Sequence, residues 1–221
     1  MRRLSVSLVI VFLLVYSQVA LATSFSAQTL TDTVVRITVD EVKWKNCGSG
    51  VNIGRLDSEQ FILTVDHIFQ GTTKDAKFTV DFYENGKLAG SFSEIEVIAR
   101  NKESDLALFK VKTDRKFSDV ALTRDDQPAI IGSGAWQTGC PNGKNPNTFY
   151  CQVVAIDRYL GVSTVECSRQ PEQGRSGGPL FNQKGEVIGI CSAADPDEKR
   201  GIYSSWKAIK LFLKDLPYDF Y

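Results

Sequence analysis

One serine of this chain, Ser176, lies in a glycine-rich run that suits nucleophilic chemistry. The run reads Gly-Arg-Ser-Gly-Gly-Pro at positions 174–179. Glycine tolerates backbone angles that other residues avoid, so such a run can expose a hydroxyl and turn successive N–H groups toward one point. N–H groups arranged in this way stabilise the oxyanion that forms when a hydroxyl attacks a carbonyl carbon, and those of Gly174 and Ser176 are the expected donors. Taken alone the run is more often an ordinary turn, because glycine and serine are both common turn residues.

A base and an acid that could activate this serine occur earlier in the chain. His67 is the only histidine among 221 residues and follows the apolar run 61–65, while Asp105 precedes the apolar run 106–111. Each residue alone has an ordinary interpretation, as a packed histidine or as a solvated charge at the start of a strand. Together with Ser176 they give the chain order His, Asp, Ser. In a triad with that order the histidine takes the serine proton and the aspartate orients the histidine.

With these residues in place, the sequence resembles the trypsin-like serine peptidases over about residues 33–214. Thr-Val-Asp-His at 64–67 is similar to the family's Thr-Ala-Ala-His block, Asp-Leu-Ala-Leu at 105–108 to its Asp-(Ile/Leu)-Ala-Leu block, and 174–179 to its Gly-x-Ser-Gly-Gly-Pro block. The resemblance implies an all-β fold of two antiparallel β-barrels of the chymotrypsin type, with the active site between them and a C-terminal helix. It also implies a serine endopeptidase that cleaves a protein or peptide substrate through an acyl-enzyme intermediate, without a metal or organic cofactor.

Within that family the sequence is most similar to the HtrA/Deg-like bacterial branch. Cys-Gly-Ser-Gly-Val at 47–51 resembles a strand of that branch, and Gly-Cys-Pro-Asn-Gly at 139–143 resembles its Gly-Asn-Pro-x-Gly turn. The branch usually carries a C-terminal PDZ domain, and because eight residues follow Leu213 we expect this module to be absent. Arg175 stands where digestive members have an aspartate that pairs with a new N-terminus, so we do not expect activation by N-terminal insertion.

The resemblance further assigns a substrate pocket to Gln170, Ser192, Ala194 and Gly201. Gln170 has no charge with which to bind a lysine or arginine side chain. Ala194 and Gly201 are small and would leave space for a side chain of medium size. The neighbouring charged run 195–200 predicts a solvated surface loop.

Five cysteines in an exported chain predict disulfides, with at least one thiol left over. Cys140 with Cys151 would close a hairpin, and Cys167 with Cys191 would join the strands that flank the Ser176 loop, although the sequence permits other pairings. In many members of the family that the sequence resembles, a cysteine at the position of Cys47 is bridged to one directly after the catalytic histidine, where this chain has Ile68. The resemblance therefore makes Cys47 the candidate for the unpaired thiol. The spacings contain no Cys-x-x-Cys pair, so we expect no structural metal site.

The first residues have the order of a secretory signal peptide over positions 1–22: two arginines, an apolar run at 8–16 and Ala-Leu-Ala at 20–22. An uncleaved membrane anchor is the alternative, since a bilayer needs about 20 apolar residues, but several serines and a glutamine interrupt the segment. We therefore expect an exported protein, secreted or periplasmic, that does not contact the membrane after cleavage. The 26 basic and 26 acidic side chains form no basic stripe that would indicate nucleic acid.

Short β-branched or aromatic runs separated by turn residues predict an all-β chain. The predicted strands are 34–39, 51–53, 61–65, 78–83, 95–99, 106–111, 149–156, 162–166, 180–181 and 187–192. Asn85-Gly86 predicts a tight hairpin. The polar segment 113–128 predicts a connection between one barrel at 23–120, with His67 and Asp105, and a second unit at 121–221, with Ser176. Apolar spacings of three and four at 204–213 predict one helix with Ser204 as its N-cap.

Two other functions fit part of this pattern. A non-catalytic peptide- or partner-binding module could keep both barrels and use the cleft between them for binding alone. An esterase could use the same three residue types, but its usual Gly-x-Ser-x-Gly turn and its chain order Ser, Asp, His do not occur here.

Overall fold

The computed structural model describes residues 27–221, so the predicted signal segment lies outside it. Within this range the chain forms two short α-helices, α1 (Ala27–Thr31) and α2 (Trp206–Leu213), and a series of antiparallel strands. None of the helices in the described part has the length and apolar character that crossing a membrane requires.

The first half of the described chain forms one seven-stranded antiparallel sheet, in the order β5-β4-β1-β2-β3-β7-β6. Its strands are β1 (Val34–Asp40), β2 (Lys45–Leu56), β3 (Glu59–Thr64), β4 (Lys77–Glu84), β5 (Lys87–Phe92), β6 (Ile95–Asn101) and β7 (Leu106–Lys112). Asn85 and Gly86 both have positive φ, 52° and 73°, as the predicted hairpin between β4 and β5 requires. Val51, Leu63 and Leu108 are fully buried, so the paired strands β2, β3 and β7 form the centre of this core.

The second half forms a closed barrel in the order β10-β13-β12-β11-β8-β9. Its strands are β8 (Gly134–Gly139), β9 (Asn147–Ile156), β10 (Thr164–Cys167), β11 (Pro179–Phe181), β12 (Val187–Asp195) and β13 (Arg200–Ser205). The prediction missed β8 and β13, because glycines and polar residues dilute their apolar pattern. Strand β8 is held between β9 and β11, and strand β13 is held between β10 and β12.

Between the end of β7 at Lys112 and the start of β8 at Gly134 the chain forms no strand, and the one isolated β-bridge of the described residues joins Leu122 to Val187. The segment is therefore irregular. The run 195–200 is the exposed end of the β12–β13 hairpin, as predicted.

Helix α2 begins one residue later than the sequence predicts. Its N-cap is Ser205, whose side chain accepts from the Lys207 N–H, and not Ser204, which is still the fifth residue of β13. Beyond α2 the chain turns back to the first sheet, where the rings of Tyr218 and Phe220 lie 4.7 and 5.4 Å from that of Phe61.

The two predicted disulfides are wrong, because all five cysteines are free thiols. Cys151 lies opposite Ala135 in the pairing of β8 with β9. Cys140 comes five residues after Ala135, so at the rise of a strand it lies roughly 15 Å from the position opposite Cys151. Cys167 is on β10 and Cys191 on β12, with β13 between them. Two strand spacings are about 10 Å, whereas a disulfide needs Cα atoms within about 7 Å.

Candidate active site

His67 and Asp105 are in direct contact where the paired strands β3 and β7 of the first sheet end and begin. Strand β3 ends at Thr64, and the chain then forms a 3₁₀ turn, Asp66–Phe69, that carries the histidine. Asp105 Oδ2 lies 2.8 Å from His67 Nδ1, and Asp105 Oδ1 accepts from the His67 backbone N–H at 2.9 Å. One carboxylate therefore holds both the ring and the backbone of the histidine. The ring is 35 % exposed and the carboxylate 23 %, so solvent and a substrate can reach the pair.

Asp105 is presented by an unusual backbone and by a contact from the other half of the molecule. Its φ is 50°, a left-handed conformation that Asp and Asn adopt more readily than other non-glycine residues. The Ser204 hydroxyl donates to the carbonyl of Ser104 at 2.6 Å, across 100 positions of sequence. The closed barrel thus fixes the residue that precedes Asp105.

Ser176 lies in a loop that two backbone hydrogen bonds join to β12 of the closed barrel. The Gly177 N–H donates to the carbonyl of Cys191 at 2.8 Å, and the Cys191 N–H donates to the carbonyl of Gly178 at 2.9 Å. The loop backbone turns through positive φ at Gly174 (87°) and Gly177 (84°). Ser176 itself is partly exposed between these buried glycines.

The same loop docks on the first sheet beside His67. The Ser49 N–H donates to the carbonyl of Ser176 at 2.7 Å. A Cβ atom on Gly48 would lie 3.2 Å from that carbonyl oxygen and 3.1 Å from the side chain of Ile68, the neighbour of the histidine. The structure therefore brings the Ser176 loop and the His67 turn to the two sides of one glycine.

Ser49 joins three parts of the site that are distant in sequence. Its hydroxyl donates to the carbonyl of Gly174 and accepts from the Cys140 N–H, both at 2.8 Å. Its carbonyl accepts from the Thr64 hydroxyl at 2.7 Å. Sequence reasoning missed this role, although Ser49 belongs to the 47–51 motif that carries part of the family resemblance.

Gly174, one of the two predicted oxyanion donors, is enclosed by the turn that follows β8. A Cβ atom on Gly174 would lie 2.5 Å from the Cys140 carbonyl oxygen and 2.9 Å from the Asn142 nitrogen. The Asn142 N–H donates to the carbonyl of Gln173 at 2.7 Å. No side chain larger than hydrogen fits at position 174 without moving this turn.

Arg175 points away from the cleft and into the barrel. Its side chain is 1 % exposed; it donates to Gln137 Oε1 at 2.5 Å and to the backbone and side-chain oxygens of Asn147. The guanidinium lies 4.6 Å from the ring of Phe149. Burial lowers the pKa of this guanidinium. The buried cation ties the Ser176 loop to β8 and β9.

Of the four residues predicted to line a substrate pocket, Ser192, Ala194 and Gly201 lie on the paired strands β12 and β13, and Gln170 precedes Pro171 in the chain. Ala194 pairs with Gly201 between β12 and β13, and the Ser192 hydroxyl donates to the Ile202 carbonyl at 3.3 Å. A Cβ atom on Gly201 would lie 3.0 Å from the ring of Pro171, the neighbour of Gln170. Gln170 and Ala194 are exposed, whereas Gly201 is buried. Their role in substrate recognition stays a prediction.

Alanine at position 177 should disrupt the Ser176 loop. A Cβ atom there would lie 2.0 Å from the backbone oxygen of Ser49 and 2.2 Å from the Thr64 hydroxyl. We expect Gly177→Ala to lower the free energy of unfolding by about 2–5 kcal/mol, the left-handed backbone cost of about 1–2 kcal/mol plus about 1–3 kcal/mol of overpacking. We also expect reaction of Ser176 with a fluorophosphonate probe to slow about 10²-fold, the cost of misplacing a reacting group by an ångström.

Gly132→Ala is the matched control for this prediction. Gly132 has φ 89° but no atom within 4 Å of the added methyl group. It should lose only the backbone cost of about 1–2 kcal/mol and keep the labelling rate. Thermal melts and labelling time courses of both variants would reveal the difference, and equal behaviour of the two would contradict the steric argument.

Comparison with known proteins adds three findings. Residues 48–190 match the family described as "Trypsin-like peptidase domain". The chain is 30 % identical over 151 residues to a probable periplasmic serine endoprotease, DegP-like, of Bartonella henselae. The matched region covers 66 % of this chain and 27 % of that protein. It is 26 % identical over 180 residues to a glutamyl endopeptidase of Staphylococcus aureus, which covers 75 % of this chain and 52 % of that protein.

The fold is shared with a solved bacterial structure. The active form of the Rv3671c protease of M. tuberculosis superposes with a TM-score of 0.69 at 20 % identity, over 86 % of this chain and 83 % of that one. This likeness confirms the predicted fold class. The chain spans between about a quarter and a half of the length of the curated relatives that it matches.

Proposed function

The chain belongs to the trypsin-like peptidase domain family, and from this premise we propose that it is a serine endopeptidase. Ser176 is the nucleophile, His67 the general base and Asp105 the residue that orients the histidine. The observation that carries the proposal is the 2.8 Å contact between His67 Nδ1 and Asp105 Oδ2, next to the docked Ser176 loop. A module that only binds peptides has no need of this arrangement.

In this mechanism the histidine is neutral when the substrate binds. The ionised Asp105 accepts the hydrogen of His67 Nδ1, which leaves the lone pair of Nε2 free to take the proton of the Ser176 hydroxyl. The serine oxygen then attacks the carbonyl carbon of a peptide bond, and the N–H groups of Gly174 and Ser176 stabilise the oxyanion. His67 next gives its proton to the leaving amine, and water hydrolyses the acyl-enzyme by the reverse sequence of proton transfers.

The substrate is a protein or peptide, and Gln170, Ser192, Ala194 and Gly201 contact the side chain that precedes the cleaved bond. Gln170 is uncharged, so this proposal disfavours cleavage after lysine or arginine. We also propose that the protein is exported, which is supported by the order of its first 22 residues and by the periplasmic assignment in the name of one relative.

A fluorophosphonate probe tests the proposed function directly, because it phosphonylates serines that an adjacent base activates. We expect one adduct per chain, on the tryptic peptide that contains Ser176, and no adduct in Ser176→Ala. Ser118→Ala is the control variant, since Ser118 is an exposed serine of the connecting segment. An unmodified wild-type protein, together with binding of peptides in the cleft, would instead support the non-catalytic alternative.

A further inference from the structure

Arg36 is a residue of the first sheet whose guanidinium reaches the closed barrel. It lies on β1 directly opposite Asp81 of β4. Its Nε and Nη2 atoms donate to Asp81 Oδ2 at 3.0 and 2.5 Å. Its Nη1 atom donates to the carbonyl of Gly143 at 2.7 Å, across 107 positions of sequence. One side chain therefore connects the first sheet to the turn that follows β8.

The ion pair fixes the direction of this contact. The Asp81 side chain is 6 % exposed and that of Arg36 is 26 % exposed. Burial would lower the pKa of the Arg36 guanidinium, but the hydrogen bond to Asp81 and the charge of that carboxylate leave the pKa above its ordinary value. The guanidinium is planar, so two donors held by one carboxylate determine where the third nitrogen points. Here the third nitrogen points at Gly143.

The turn that Arg36 holds is the one that encloses the oxyanion donor. It comprises the 3₁₀ segment Pro141–Gly143, and the Asn142 N–H donates to the carbonyl of Gln173. The peptide group between Gln173 and Gly174 is planar and trans, so its C=O and N–H point in opposite directions. Holding the Gln173 carbonyl against Asn142 therefore turns the Gly174 N–H away from the turn. Rotation of this one peptide group would remove an oxyanion donor without moving His67.

We propose that Arg36, held by Asp81, is a positioning residue that keeps the Gly174 N–H oriented for oxyanion binding. This inference rests on the proposed function. Arg36 contacts neither the substrate nor the reacting atoms; it acts through Gly143, Asn142 and Gln173. Its loss weakens an interaction that forms fully only with the tetrahedral intermediate, and so it lowers kcat rather than raising KM.

The test measures kcat and KM of Arg36→Gln, Arg36→Lys and Asp81→Asn with a peptide that the wild type cleaves. The inhibition constant of a peptidyl boronic acid, which forms a tetrahedral adduct with the serine, is measured in parallel. Loss of a whole oxyanion donor costs about 10²–10³-fold in kcat, so we expect Arg36→Gln to lose about 10–10²-fold. KM should stay within about threefold, while the boronate binds more weakly by the factor lost from kcat/KM. Arg36→Lys should fall between, because an ammonium lacks the fork of donors.

Arg115→Gln is the matched control. Arg115 also pairs with a carboxylate and a carbonyl, those of Glu84 and Ala89, both at 2.6 Å. Both partners belong to the first sheet, so this arginine joins no part of the oxyanion turn. We expect its kcat and boronate affinity to stay within about twofold of the wild type, as for an exposed ion pair.

Chemical rescue separates a positioning role from a merely structural one. Arg36 lines a groove of about 760 Å³ together with Asp81, Gly143 and Gln173, so a small guanidinium compound can enter the space left in Arg36→Ala. Added ethylguanidinium should restore part of kcat in Arg36→Ala and leave Arg115→Ala unchanged.

The outcomes decide between the proposals. Active-site titration with the fluorophosphonate gives the concentration of folded, reactive enzyme, and each kcat is calculated from that concentration. If Arg36→Gln does not fold, the kcat values of Arg36→Lys and Asp81→Asn test the role of Arg36. Unchanged kcat and boronate affinity in the folded variants, or a rise in KM alone, would overturn the role of Arg36 and leave the peptidase assignment intact. A wild type that neither reacts with the probe nor cleaves peptides would overturn both.

Discussion

Replacing Ser176 with alanine is expected to lower kcat for peptide hydrolysis by about 10⁶-fold, the effect of removing the nucleophile from a serine triad. The oxyanion donors and substrate contacts remain, so residual hydrolysis above that in water is expected. The fold should persist, because the backbone of Ser176 makes the contact with Ser49 and its hydroxyl has no part in it. The difference is measured from initial rates of cleavage of a fluorogenic peptide. The wild type is diluted until its rate equals that of the variant, and the dilution factor gives the ratio of the two activities.

Two controls show whether the loss of kcat is due to the missing Ser176 hydroxyl. Melting temperature and circular dichroism of Ser176→Ala should match the wild type, and Ser118→Ala should retain full activity. A Ser176→Ala preparation that keeps more than about a hundredth of the wild-type kcat, with the same cleavage sites, would identify another nucleophile. Cleavage at different sites would indicate a contaminating peptidase, which a second purification would remove.

Replacing Asp105 with asparagine is expected to lower kcat by about 10⁴-fold, the effect of the equivalent change in a triad of this type. The amide would present a donor to His67 Nδ1 and favour the wrong tautomer, in which Nε2 carries the hydrogen and cannot accept the serine proton. The backbone should tolerate the change, because asparagine also adopts the left-handed conformation that Asp105 has at φ 50°. Single-turnover kinetics with an ester substrate would measure the loss in the acylation step.

Asp66→Asn is the matched control for Asp105→Asn. Asp66 adjoins His67 in sequence, but its carboxylate accepts from Arg100 Nε at 2.5 Å and from Gln70 at 3.2 Å. Burial would raise the pKa of Asp66, but the hydrogen bonds from Arg100 and Gln70 hold that pKa below its ordinary value. We expect this variant to lose some stability and to keep kcat within about threefold, as the hydrogen bonds of its carboxylate go to Arg100 and Gln70 and not to the ring. Equal losses in the two variants would show that Asp105 acts through general charge and not through its contact with the histidine.

Much of the candidate site could be predicted from the sequence because its requirements are local. The Ser176 loop needs glycines at particular positions to turn through positive φ, and Gly174 and Gly177 do so. The histidine and the aspartate each adjoin an apolar run that could be recognised as a strand. The hairpin at Asn85-Gly86 and helix α2, apart from its first residues, were predictable for the same reason, since turn chemistry and apolar spacing act over a few residues.

Contacts between distant strands could not be predicted in this way. The pairing of Cys140 with Cys151, and of Cys167 with Cys191, depends on the register of β8 with β9 and on β13 lying between β10 and β12. Chain order alone does not determine either feature. The two disulfides were plausible from the sequence spacing of the cysteines. They are wrong because the cysteines lie on strands, or at positions along strands, that are too far apart.

The sequence alone determined which residue types are present for a nucleophile, a base and an acid, and that the chain forms short antiparallel strands. Only the tertiary structure decided what holds them: Ser204 on Ser104, Ser49 between Gly174 and Cys140, and Arg36 on Gly143. The local sequence around each of these polar side chains does not show which group it binds. Its partner lies roughly 100 residues away, and only folding makes it a near neighbour.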